Sequence, residues 1–425
     1  MRIAVIGAGI AGLTAAWLLD EEHQVTVYEA ADRIGGNIRT ATFGGAGDSP
    51  VAVDLGAQLL SPTAYPCHTA LRRALGLSVD HTLDVPLTTT LSRAGRATPT
   101  LVTPDSSAAA TEGRTPLSGG SAARTFTELL TATARLEAEN GPVTTTVGDL
   151  AGARELPVDE VRDTFLAWCA SLVGCTVDQA AEIPARAVAG WITGAAPEHP
   201  DAAPVWHLLA TGLGELVSRI ADSLGSDVRV GAPVRAIDVE DGHPCLLDEA
   251  GMSAYDAVVV ATSAPRALDL VGGCSDLKPS AELLAAFDYV PTTVALHRDP
   301  AHMPADRAYW STTCVTTDDR WAESTIRLGP ILGTDVFKSW ITHRAEPEDI
   351  IARADFRQLR PTVAGARAAQ SLAGHQGRQG VYFAGSHLGD ADSQESAVRS
   401  AIRVVRPLVT RGDRLSVVAA DPSRH

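Results

Sequence analysis

Arg2-Ile3-Ala4-Val5-Ile6-Gly7-Ala8-Gly9-Ile10-Ala11-Gly12 opens the chain directly after Met1. Arg2–Ile6 is a short apolar run of the kind that forms a buried parallel strand. Three glycines come next, and residues 13–19 read as a helix. Gln24–Tyr28 alternates into a second strand that ends at Glu29. The first thirty residues therefore predict a strand–helix–strand unit. In that setting Gly7 permits the tight turn and Gly9 lets backbone approach a pyrophosphate. Gly12 lets the helix pack on the strand, and the helix N-terminus faces the phosphates, with Ile10 and Ala11 as further candidate cofactor contacts. Glu29 stands ~20 residues on, where a carboxylate can accept both ribose hydroxyls. A carboxylate there also argues against a 2′-phosphate.

The composition narrows the partners. The chain has 425 residues, and 35 Lys+Arg against 51 Asp+Glu give a net charge of −16. That length suits two interleaved domains or one large α/β unit. The acidic balance argues against nucleic acid and anionic membrane surfaces. No apolar run approaches the ~18 residues of a membrane span. The N-terminus enters a strand at once and does not read as a signal peptide. Cys67, Cys169, Cys175, Cys245, Cys274 and Cys314 are scattered, without a CxxC pair. They read as free thiols in a reducing cytoplasm. No cluster has metal-ligand spacing, so no metal is expected.

Along the chain, residues 106–120 hold little to bury and read as a surface loop. Helical spacing marks 126–140, 158–173 and 213–224. Strand patterns mark 228–239, 246–247, 257–261, 292–297 and 380–384, with a turn at Asp241-Gly242. Residues 395–405 read as a last helix, and the residues after Thr410 as a frayed tail. Asp392 with Glu395 reads as the capping box of that last helix.

A second motif separates the dinucleotides. After Glu29 the chain reads Ala30-Ala31-Asp32-Arg33-Ile34-Gly35-Gly36-Asn37. A nicotinamide domain needs no paired glycine there. An FAD domain often does, because its longer diphosphate-ribityl chain runs past this loop. Ala30, Arg33, Gly35, Gly36 and Asn37 are therefore candidate FAD contacts.

With both motifs the chain resembles the flavin-containing amine oxidase superfamily, which includes monoamine and polyamine oxidases, protoporphyrinogen oxidase and phytoene desaturases. The resemblance continues at Val53-Asp54-Leu55-Gly56-Ala57-Gln58, at Val234, at residues 258–262, at Val381-Tyr382-Phe383-Ala384-Gly385-Ser386 and through 394–401. Several further pieces, among them Tyr65-Pro66 and Leu296-His297-Arg298-Asp299, resemble bacterial NAD/FAD-binding amine-oxidase-like proteins. The resemblance implies a Rossmann-like FAD-binding domain of the GR2 type, three layers ββα, with an interleaved α+β substrate-binding domain. Residues 1–62, 212–275 and 375–410 would form the first, 63–211 and 276–374 the second, and 411–425 a flexible tail. It implies FAD contacts at Ala57, Gln58, Leu59, Val234 and Thr262, and at Gly385, Ser386, Gln394, Glu395 and Ala397. The amides near Gln394 would stabilise the negative charge of reduced flavin.

Departures from the family bear on the chemistry. The lysine that amine oxidases place near flavin N5 is matched here by Thr292. The common arginine after the double glycine is Asn37, and 387–393 holds no aromatic. No cysteine lies beyond Cys314, so FAD is expected to be non-covalent. Simple amine oxidation is thereby put in doubt. Gly389-Asp390-Ala391 reads as a loop coincidence with the motif of flavin hydroxylases. Acid and base candidates are few: His387 first, with His297, Tyr65 and Asp390 behind it, and Thr292 is a catalytic candidate as the residue at the lysine's position. The expected function is FAD-dependent two-electron oxidation of a small organic substrate at a C–N or C–C bond. A non-redox isomerase or cyclase, and an FAD-fold binding protein, stay open.

Overall fold

The computed structural model describes residues 1–44, 50–104, 114–192, 206–389 and 391–419. In it β1 (Arg2–Ile6) lies at the centre of a five-stranded sheet whose pairings are all parallel. Its neighbours are β2 (Gln24–Tyr28) on one side and Ala257–Val260 on the other, with Asp227–Arg229 and Val381–Phe383 at the edges. A strand covered on both faces can be apolar throughout, and Ile3, Ala4, Val5 and Ile6 are all buried.

One face of this sheet carries α1 (Ile10–Leu19), which has no polar side and is buried at all ten positions. Such a helix must be enclosed, and the helix Gln394–Val405 packs across it. The other face carries the antiparallel strands Ala236–Glu240, His243–Asp248 and Gly251–Ala254. Ile237 and Leu246 join Ala4, Ile6 and Val258 in a second core there. The order antiparallel sheet, parallel sheet, helices is the three-layer ββα arrangement that the sequence implies.

A seven-stranded mixed sheet forms the other half of the molecule. Its longest strands, Asp288–His297 and Ile350–Arg360, pair antiparallel over ten positions. Helices Ser121–Ala138 and Ala185–Ile192 and the run 158–173 cover it around Phe126, Leu129 and Phe165. The run 158–173 is helical throughout, as its spacing predicts, but it winds wider over Arg162–Leu166.

Two expectations meet a different structure. Of the loop 106–120, residues 106–113 lie outside the described residues. The remainder is tied to the body: Thr115 N–H donates to Ala308 O at 2.8 Å and Leu117 N–H to Val102 O at 2.9 Å. The tail is not frayed along its described length. Asp413–Val418 is a helix, and Val418 is 1% exposed. The cause is Glu22, whose carboxylate accepts from Thr410 N–H, Arg411 N–H and Gly412 N–H. No local pattern around 411 announces a partner at 22.

Candidate functional site

A cavity of about 550 Å³ runs along the carboxyl ends of the parallel strands and reaches the mixed sheet. Its dinucleotide end is built by the two glycine loops. Gly12 is there because a Cβ would stand 1.9 Å from Gly7 O, so no other residue lets α1 approach β1 this closely. Gly36 sits at φ +57°, where a Cβ would meet Gly9 Cα at 3.1 Å. Gly35 N–H donates to Ala8 O at 2.7 Å and locks the loops together. Gly7, Gly9, Ile10, Ala11, Glu29, Ala30, Gly35, Gly36 and Asn37 all line the cavity. The Glu29 carboxylate accepts from Ala8 N–H and Ala31 N–H, both at 2.8 Å, so it organises both loops around one anion. A floor without side chains, at the N-terminus of a buried helix, fits a pyrophosphate.

Val234, Thr262 and Ala57 line the next part of the wall. Arg266 also lines it and donates to Val234 O at 2.7 Å. Beyond them the Gln394–Val405 helix presents its first turn, with Gln394 and Ala397 on the cavity beside Gly385 and Ser386. The cap of that helix is Ser393, whose Oγ accepts from Ser396 N–H at 3.0 Å; Asp392 does not cap it.

Five of the residues singled out from the sequence do not line the cavity. Gly12 faces β1. Arg33 turns back and donates to Gly36 O at 2.6 Å and Ile34 O at 3.0 Å, so it shapes the double-glycine loop. Gln58 accepts from Lys338 Nζ at 2.9 Å. Leu59 packs on the main core. Glu395 points away from the cavity and accepts from Cys67 N–H at 3.1 Å and His68 N–H at 2.8 Å, at the start of the helix Pro66–Ala74. That second role replaces the capping box.

Of the catalytic candidates, His387 and Thr292 line the cavity, Tyr65 is buried against Trp206, and Asp390 lies outside the described residues. His387 is 3% exposed, its Nε2 has no partner, and burial pushes its pKa down to about 4. The ring is therefore neutral at ordinary pH. Thr292 is buried, and its Oγ1 has no hydrogen-bond partner. His297 lies elsewhere, bonded through Nε2 to Ser339 Oγ at 2.8 Å and stacked on Phe337.

The sequence reading missed several cavity groups. Asp392 lines the wall, and burial raises its carboxyl pKa against the opposing Ser386 hydroxyl and Leu359 N–H. Trp340 and Phe356 supply flat apolar surface from two strands of the mixed sheet, and Tyr289 lines the same cavity. The three aromatic residues belong to no local motif. They share this wall only because the strands of Trp340 and Phe356 both pair with Asp288–His297, which carries Tyr289. Among the described residues no group of three potential ligands could hold a metal ion, and no helix is long and apolar enough to cross a membrane.

Comparison with known proteins adds three findings. Residues 10–297 match the family described as flavin containing amine oxidoreductase. The flavin-dependent L-tryptophan oxidase RebO of Lentzea aerocolonigenes is 48% identical over 65 residues, 15% of this chain and 13% of that protein's length. Among solved structures, cyclohexylamine oxidase from Brevibacterium oxydans IH-35A has a TM-score of 0.68 at 20% identity, covering 96% of this chain and 99% of that one. The fatty acid isomerase from P. acnes has a TM-score of 0.70 at 14% identity, with 96% and 99% covered. At those identities the likeness is one of fold.

Proposed function

The chain belongs to the flavin-containing amine oxidoreductase family and binds FAD, and on that premise we propose that it oxidises a small organic molecule by two electrons at a C–N or C–C bond. The observation that carries this reading is the continuity of one cavity from the glycine loops to Thr292, Trp340 and Phe356. A substrate held on the mixed-sheet wall would lie against the end of the cofactor. FAD, when bound, supplies the two-electron acceptor. The protein's contribution is then binding, orientation and proton handling.

Gly9, Gly36 and the opening of α1 would hold the pyrophosphate, and Glu29 the adenosine ribose. The first turn of the Gln394–Val405 helix would face the ring with its positive end, where negative charge develops on reduction. Trp340 and Phe356 exclude water and orient an apolar body. As the substrate's C–H bond gives up its hydrogen with the electron pair, a neighbouring N–H or C–H must lose a proton. The Asp392 carboxylate is the acceptor we assign. Its raised pKa brings it nearer to neutrality, as a general base requires. His387 is neutral and offers an unpartnered hydrogen-bonding atom at Nε2.

The cofactor is held without a covalent link, a reading supported by the described residues of the cavity wall, which include no cysteine. Five of the six cysteines are buried, which suits a reducing cytoplasm. Anaerobic mixing of the FAD-loaded protein with a panel of amines, amino acids and cyclic alkenes tests the function. Bleaching of the visible flavin absorbance together with an oxidised product supports oxidation. A product that forms while the flavin absorbance stays constant replaces oxidation by isomerisation.

A further inference from the structure

The chain contains two lysines, and one of them, Lys338, is 1% exposed. It stands on the strand Phe337–Trp340, opposite Leu296 on one neighbour and Ile326 on the other. Its ammonium leaves that sheet and donates to Gly56 O at 2.8 Å and to Gln58 Oε1 at 2.9 Å. Removing an ammonium from water costs several kcal/mol, and an apolar residue of the same volume is often the more stable choice. Burial pushes the Lys338 pKa down to about 7 against the field of Asp54, a carboxylate already engaged by the Thr40 hydroxyl and by Leu213 N–H at 2.9 Å. Stability alone therefore does not account for a cation here. Both of its hydrogen-bond partners lie on one short segment, which crosses from the dinucleotide-binding half to the cavity.

Gly56 and Ala57 are the part of that segment that lines the cavity. Gly56 is pinned from the other side as well: a Cβ would stand 2.0 Å from Asn37 O and 3.2 Å from the Phe356 ring. A trans peptide turns its C=O and N–H to opposite sides. With Gly56 O on Lys338, the N–H of Ala57 faces away from the lysine, and no acceptor among the described residues takes it. The neighbours of this peptide are Phe356 and, 5.1 Å from Nζ, the ring of Trp340. These are the residues that mark the redox end of the cavity in the function proposed above.

We infer that Lys338 is a positioning residue for the cofactor ring. Through the Gly56 carbonyl it holds the Gly56–Ala57 peptide with its N–H presented to the bound FAD, and its charge strengthens that N–H as a donor. Hydrogen bonds in series polarise one another, more so away from water. A donor on the ring favours the reduced, more negative state. The inference rests on the cavity being the FAD site.

The test compares FAD-loaded wild type with K338M, K338R and K278M, in which the exposed Lys278 serves as control. K338M should raise the FAD Kd about tenfold. It should also displace the visible bands of the bound flavin and lower its affinity for the reduced relative to the oxidised form about tenfold, a potential change of about 30 mV for a two-electron couple. K338R keeps a charged donor and should restore most of both properties, and K278M should match wild type. A lysine that only supports the fold would lower the melting temperature and leave bands and potential alone. K338M that binds FAD with unchanged bands and potential overturns the inference. Where K338M does not fold, K338Q is read in the same way, and unchanged bands in K338Q overturn it equally. Failure of the wild type itself to hold FAD overturns the cofactor reading instead.

Discussion

Replacing Glu29 by glutamine isolates the contribution of one negative charge to cofactor binding. In the native protein the two carboxylate oxygens each accept a backbone N–H at 2.8 Å, from Ala8 in the first glycine loop and Ala31 in the second. Glutamine has nearly the same shape and keeps one acceptor. Its NH2 then faces the other backbone N–H, donor against donor. Those two backbone bonds are present with and without ligand and bear on stability; FAD binding feels the lost charge on the bond Glu29 would make to the adenosine ribose, where a hydrogen bond to a charged group contributes about 1.5–3 kcal/mol. At about 1.4 kcal/mol per tenfold, the FAD Kd should rise about 10–100-fold. Titration of apoprotein with FAD, monitored by flavin fluorescence, measures it. FMN lacks the adenosine half and should lose less affinity than FAD in the same variant. Because both bonds exist without ligand, the apo variant should also unfold at lower denaturant. An E29Q protein that binds FAD with the wild-type Kd would refute the reasoning.

Single contacts set three further outcomes. G12A places a Cβ 1.9 Å from Gly7 O, so overpacking of about 1–3 kcal/mol should lower the urea midpoint of the apoprotein; an unchanged midpoint would mean that α1 can shift away from β1. E22Q should expose the Asp413–Val418 helix to early proteolysis with FAD affinity unchanged, because Glu22 alone gathers the amides of 410–412. The same tether has a pH signature: its carboxyl is depressed to about 2 by those amides, so its stabilisation is complete above the ordinary carboxylate pKa and fades as pH falls through about 2. Reduced protein should reoxidise slowly in air, since Thr292 faces the cavity without a charge and Lys338 is engaged by Gly56 O and Gln58 Oε1; stopped-flow mixing with oxygenated buffer showing rapid reoxidation would mean that another cation serves.

How much could be read from the sequence depended on how local the cause was. Gly7, Gly9, Gly12 and Glu29 lie within one strand–helix–strand unit, so their spacing carries the geometry. The structure places Gly7, Gly9 and Glu29 on one cavity. The wide turn at 162–166 left the helical spacing of 158–173 readable, because the apolar face is continuous. The last helix was legible, but its cap was not. Asp392-Ser393-Gln394-Glu395 offers two plausible capping residues, and only tertiary structure chooses. Glu395 is drawn to the amides of Cys67 and His68, which leaves Ser393 to cap and Asp392 to face the cavity.

The lysine shows the same limit from the other side. Matching Thr292–His297 to a family strand asks whether one strand carries a cation at one position, and it does not. In a sheet, however, adjacent strands present side chains within about 5 Å of each other, so a charge can be supplied by a neighbouring strand. Leu296 pairs with Lys338 across the antiparallel ladder, yet the positions are far apart in sequence and share no motif. Nζ then reaches a backbone carbonyl, which any residue type could have provided. Neither partner leaves a trace in residue identity. A charge that acts through the backbone in this way is visible only once the strands are paired, which is why the cavity's inner wall was legible in its glycines and its outer support was not.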